Sequence, residues 1–155
     1  MIGKDELQTL MPHRGKMLLL SKVNSYDYKE MCICAEYHVT HDCVFFDPAI
    51  GGVPSWAGFE FIAQAISVLT GIRNRELGIK PRIGFILSIP SMKMEIPLFK
   101  AGSCVELRVK QKDATGLIYT FTGEAFLEGK KAIEGKLMVM EINDENYGNL
   151  CRGAE

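Results

Sequence analysis

One acid stands apart in "FFDPAIGGVPSWAGFEFIAQA", residues 45–65. Glu60 follows a run of Gly and Pro and is flanked by Phe59, Phe61 and Ile62. A carboxyl group in apolar surroundings is costly unless it is used or satisfied. Desolvation disfavours the charged form, so such an acid is suited to hold or give a proton. A helix is expected to start near Ser55, which is a fair N-cap residue. Its first turn, Ser55 to Gly58, would offer unpaired N–H groups and the positive end of a dipole. The missing bulk at Gly51, Gly52 and Gly58 would let a carbonyl approach that backbone. An acid beside such donors fits an enolate or acyl-transfer site. The alternative is a carboxylate that caps or pairs at a dimer interface. Gln64, one turn beyond Glu60, reads more simply as a satisfied interface amide than as a catalytic group.

The elements that must position this segment can be read from periodicity. "GKDELQTLM" places Leu7, Leu10 and Met11 at helical spacing and stops at Pro12, a short helix. "KMLLLSKVNSYDY" and "KEMCICAEYHVT" read as strands, and in the second Met31, Ile33 and Ala35 alternate with Cys32, Cys34 and Glu36. "DPAIGGVPS" is a loop. "WAGFEFIAQAISVLTGI" is too long for a strand and apolar nearly all round, as a buried helix is. Four long segments then follow, rich in β-branched and aromatic residues and separated by turn signals. In "CVELRVKQK", Val105, Leu107 and Val109 alternate with Glu106, Arg108 and Lys110, so one face is buried and one wet. The expected class is α+β: one long helix wrapped by a single antiparallel sheet. Residues 1–142 are expected to form one domain, with 143–155 a loose tail.

Composition narrows the function. The 155 residues suit one domain, and 47% hydrophobic with 24% charged residues suit an ordinary globular core. A formal net charge of -1 argues against nonspecific binding to nucleic acid or an anionic membrane. No apolar run approaches the roughly 20 residues that span a bilayer. The segment "MIGKDELQTLM" has no apolar signal core, so the expected compartment is the cytoplasm. The five cysteines lack C-x-x-C spacing. Cys32 and Cys34 would share one face of a strand, but no second ligand pair is visible. Neither a metal nor a cofactor is expected.

Two segments carry a resemblance. "LMPHRGKMLLLSKV" resembles the "LPHR…LLVDRV" opening of the bacterial β-hydroxyacyl-acyl-carrier-protein dehydratases, which have the hot-dog fold. "FFDPAIGGVPSWAGFEFIAQA" resembles the segment of that family reading "GHFPGxPxxPGVLxLEAMAQ". Without gaps, Pro48 and Pro54 fall on family prolines, Glu60 on the catalytic acid, and Ala63 and Gln64 on the "AQ". Downstream, "GFIL…MKMEIPLFKAGSCVELRV" follows the family's strand pattern, so the likeness covers roughly residues 7 to 141. The branch most similar is associated with aryl-polyene pigment clusters.

The departures matter as much. The family's catalytic histidine falls on Phe46, and its preceding glycine on Phe45. The glycine whose N–H points at the thioester oxygen falls on Ser55, whose backbone can still supply that donor. The resemblance implies dehydration of 3-hydroxyacyl thioesters on acyl carrier protein, with Glu60 as acid. Ser55, Gly58, Gln64, Phe46 and Pro54 would surround the substrate. It implies that the loop carrying His13 lies near the mouth of an acyl tunnel, which makes His13 the candidate replacement proton carrier. The other reading of His13 and Arg14 is that they lock the N-terminal loop. His38 and His41 read as surface residues. Lys16, Arg73, Arg75 and Lys80 are candidates to meet an acidic carrier protein, with a solvated face as the default. Met11, Met17, Met92, Met94, Met138 and Met140 read as core. In such dehydratases the histidine of one protomer meets the acid of the other, so a homodimer or a heterodimer with a related dehydratase is expected. An acyl thioesterase and a non-catalytic, half-site subunit are the competing readings.

Overall fold

The computed structural model describes residues 1–143 and Gly148. Strand β1 (Ile2–Gly3) leads into helix α1 (Lys4–Leu10), a 3-10 turn (Gly15–Met17), and strands β2 (Lys22–Asp27), β3 (Cys32–His38) and β4 (Gly52–Pro54). A second 3-10 turn (Ser55–Ala57) runs into the long helix α2 (Gly58–Glu76). Strands β5 (Ile83–Met94), β6 (Leu98–Lys100), β7 (Cys104–Thr115), β8 (Ile118–Leu127) and β9 (Lys130–Ile142) follow. The main sheet has seven strands in the order β1-β2-β3-β7-β8-β9-β5, and β4 pairs with β6. Every pairing is antiparallel. This is the hot-dog arrangement: an α+β domain with one long helix wrapped by one sheet. The expected tail from 143 onward lies almost wholly outside the described residues.

The alternation read from the sequence sets the core. Ile33, Ala35 and Tyr37 of β3 and Val105, Leu107 and Val109 of β7 point inward and meet Phe61, Ala65 and Leu69 of α2 in one cluster. Close approach depends on two glycines. A Cβ at Gly123 would run into Ile62, and one at Gly71 into the Leu10 carbonyl, so α1 crosses directly against α2. That crossing holds the N-terminal loop beside the helix.

Two expectations need correction. The strand expected from Lys16 begins only at Lys22. Met17 and Leu19 instead spend backbone hydrogen bonds on the Gln64 side chain, which removes them from any ladder. Of the methionines, Met11 is buried in the core, but Met17 and Met94 are exposed.

The two sheet edges differ. Among the described residues β5 bonds only β9, and Ile83, Phe85, Ile86, Leu87, Ile89 and Met94 along it are all exposed. A 12-residue edge strand with apolar side chains is an open template for pairing. No described helix is long and apolar enough to cross a membrane.

Candidate active site

The N-terminal loop, α2 and the start of β5 enclose a cleft of about 780 Å³. Glu60, Ala63, Ser67, Thr70 and Asn74 line its helix wall, and His13 lines it from the N-terminal loop, beside Glu60. At 1.5 Å per residue, Glu60 and Asn74 lie roughly 21 Å apart along the helix. Helical rotation separates Glu60 from its sequence neighbours. Phe61 and Ile62 are fully buried toward the sheet, whereas Glu60 faces the cleft with 14% of its side chain exposed.

The Glu60 carboxylate meets an amide and an imidazole. Its Oε1 accepts a 2.9 Å hydrogen bond from Gln64 Nε2 and lies 3.4 Å from His13 Nε2. Gln64 is fully buried and itself fixed. Its Nε2 also donates to the Met17 carbonyl at 2.7 Å, and its Oε1 accepts from the Leu19 N–H at 3.0 Å. Arg14 Nη1 donates to the carbonyls of Met11 and His13, which fixes the loop presenting the imidazole. His13 Nδ1 is buried and has no hydrogen-bond partner among the described residues. An acid and an imidazole thus face each other at one end of a cleft, with no guanidinium or ammonium paired to the acid among the described residues.

The far end of the cleft is different. Glu141 is 3% exposed, and Arg73 Nη2 donates to both its oxygens at 2.9 and 2.7 Å. Arg82 Nη1 lies 3.9 Å from Glu141 Oε2, and Arg73 also bonds Asn74 Oδ1. The sequence reading missed this cluster. A signal existed: in "LMVMEI" the acid at 141 has the same parity as Leu137 and Val139, which face the core.

Residues 5–148 match the family described as ApeP-like, ApeP dehydratase. The chain belongs to the ApeP-like dehydratase family. It is 32% identical over 133 residues to the 3-hydroxyacyl-[acyl-carrier-protein] dehydratase FabZ of Erythrobacter litoralis, covering 84% of this chain and 86% of that one. It is 29% identical over 151 residues to the FabZ of Chlamydia trachomatis serovar D, covering 94% and 95%. The structure superposes with a TM-score of 0.85 and 23% identity on a chain of the dehydratase heterocomplex ApeI:P from Xenorhabdus doucetiae, covering 94% of this chain and 96% of that one. The likeness to FabZ and the ApeP-like match together make the chain a dehydratase-type lyase.

Within this ApeP-like dehydratase the expected site residues divide. The structure brings together Glu60, Gln64 and His13. Gln64 hydrogen-bonds Glu60, and both its side-chain nitrogen and oxygen are engaged by groups of this chain. Ser55 does not act as expected. Its N–H donates to the Pro97 carbonyl at 3.0 Å, and no side-chain bond caps the helix. Gly58 faces the core, where a Cβ would strike Ile133, and its N–H bonds back to the Ser55 carbonyl. Gly52 is small because a Cβ would strike the Phe99 carbonyl across the β4–β6 pair. Pro54 ends β4 and is not among the residues lining the cleft. Phe46 lies outside the lining too, its ring 4.8 Å from that of His41. His38 pairs with Glu36 on the outer face. Arg73 and Arg75 are engaged by Glu141 and Glu6, while Lys16 and Lys80 are exposed.

Proposed function

We propose that the chain takes part in dehydrating 3-hydroxyacyl thioesters carried on acyl carrier protein, with Glu60 as the acid. The observation that carries this reading is the Glu60 carboxyl, set at the end of a long cleft by a neutral amide and opposite an imidazole. Glu60 gives its proton to the β-hydroxyl as the Cβ–O bond breaks, and water leaves. A base takes the α-proton, and that electron pair forms the new double bond. When His13 is the base, the 3.4 Å contact lets its proton return to Glu60 and reset the pair. The unpaired, buried His13 Nδ1 supports a further polar partner there during the reaction. The cleft length suits an extended acyl chain, and the ApeP-like match supports a chain of the aryl-polyene type.

A second reading is favoured by two observations. The apolar β5 edge and the exposed Val44, Ile50 and Trp56 around the loop bearing Phe46 are surfaces awaiting another chain. In this reading the chain is the acid-bearing half of a dimeric site, and a related dehydratase brings the base. Incubation with a 3-hydroxyacyl carrier thioester, alone and with a histidine-bearing related dehydratase, separates the two. Enoyl product from the chain alone, reduced at least about tenfold in His13→Ala, is the self-sufficient result. Product only with the partner, indifferent to His13→Ala, is the half-site result. Free thiol without enoyl product overturns both in favour of a thioesterase.

A further inference from the structure

The outer face of the sheet carries chemistry that the cleft does not use. β3 turns Cys32, Cys34, Glu36 and His38 outward at period two. β7 runs antiparallel beside it with Cys104 directly opposite His38. Glu36 and His38 are therefore same-face neighbours, and Cys104 is their cross-strand neighbour. One oxygen is the meeting point. Glu36 Oε2 lies 3.3 Å from His38 Nε2 and 3.4 Å from Cys104 Sγ, and the three ligand atoms all fall within 4.8 Å of one another.

These separations suit a small tetrahedral ion. Zinc holds nitrogen and oxygen at about 2.0–2.2 Å and sulfur at about 2.3 Å, so adjacent ligand atoms stand roughly 3.3–3.7 Å apart. Two of the three edges already have that length, on a rigid scaffold of paired strands. Mixed nitrogen, sulfur and oxygen ligands select a borderline divalent ion over calcium or magnesium. We propose that Glu36, His38 and Cys104 form a surface site for a zinc-class divalent ion, with water in the fourth position.

Hydrogen bonding alone accounts for part of the cluster. Asn24 Nδ2 donates to Glu36 Oε1 at 2.7 Å, and Lys22 Nζ lies 3.2 Å from Glu36 Oε2. Asn24 orients the carboxylate through the oxygen the ion does not need. Lys22 sits opposite Glu36 on β2 and is the resident cation that the ion must displace. Glu106 also faces the Cys104 thiol, whose proton leaves on binding. The site closes the base of the segment that follows β3, where Val39 and Gly102–Ser103 exchange backbone hydrogen bonds. It clips β3 to β7 just before the loop bearing Phe46.

The competition with Lys22 makes the test two-sided. Zn²⁺ alone is titrated into the full chain by calorimetry, and Co²⁺ into a second sample to read the thiolate charge-transfer band. Wild type should bind one equivalent. Cys104→Ser and His38→Ala should each weaken binding by at least about tenfold, the range that even an outer-shell change produces. Cys104→Ser should also erase the thiolate band. Lys22→Met should tighten binding, since it removes the competing ammonium. Circular dichroism confirms that each variant is folded. No binding by wild type, binding unchanged in Cys104→Ser, or Lys22→Met weaker than wild type would each overturn the proposal.

Discussion

The cleft holds two carboxylates, and their settings are opposite. Glu141 is gripped by Arg73 through both oxygens, with Arg82 behind. Glu60, at the other end, has its polar contacts among the described residues with the Gln64 amide and the His13 imidazole. A bidentate guanidinium brings a full charge and fixes the orientation of its partner. An amide fixes position and brings no charge. The same residue type is thus ion-paired at one end and, in the proposed mechanism, the acid at the other, and the two settings differ in the donor that faces each.

The largest expected effect follows from the acid end. Glu60→Gln keeps the shape and loses the transferable proton, so enoyl formation should fall by about 10² to 10⁴ with the unfolding midpoint unchanged or raised. Turnover within tenfold of wild type would reduce Glu60 to a structural residue. At the ion-paired end, Arg73→Met leaves Glu141 buried with only a 3.9 Å contact to Arg82. Urea unfolding should show a loss of about 3 kcal/mol, while the turnover of folded protein changes little. An equal loss of turnover would mean that the two ends work as one site.

Gln64→Leu tests the amide itself. It strips the Leu19 N–H and the Met17 carbonyl of their partners, at a cost of about 1–3 kcal/mol, and frees the Glu60 carboxylate. Turnover should fall about tenfold more than Arg73→Met lowers it. Restoration by Gln64→Glu, which cannot donate from an ionised carboxylate, would contradict the positioning role. Phe46→His should have the smallest effect. The ring is partly buried against the core, so the loss is about 1 kcal/mol. Since position 46 lies outside the chain's own cleft, the isolated chain should gain no activity. A gain only after mixing with a chain that bears a cleft acid would sharpen the half-site reading.

Much of this was legible in the sequence. Alternation in β3 and β7 and the all-round apolar α2 fixed the sheet-on-helix plan, because both rest on local period. The acid at 60 was legible because an isolated charge breaks an apolar run. The pairing of His13 with Glu60 spans 47 positions and came only from the resemblance, since no local period encodes it. Ser55 misled because a residue of capping type precedes the helix, yet the chain enters through a 3-10 turn and gives that N–H to Pro97. Gly58 misled because a glycine made small by Ile133 looks, in sequence, like one made small by a ligand. The triad of Glu36, His38 and Cys104 depends on the β3–β7 register, which a one-residue slip would destroy.

The bare β5 edge has a consequence for how a cell must make this protein. A ribosome releases a chain whose edge strand β5, bonded to β9 on one side, leaves Ile83, Phe85, Ile86, Leu87 and Ile89 exposed. Where nothing covers that strand, chains meet one another, and strand-to-strand addition is the hazard of such an edge. In the half-site reading supply therefore has to be matched: subunits synthesised together, in step, stay in solution, and an orphaned surplus goes to aggregates and proteases.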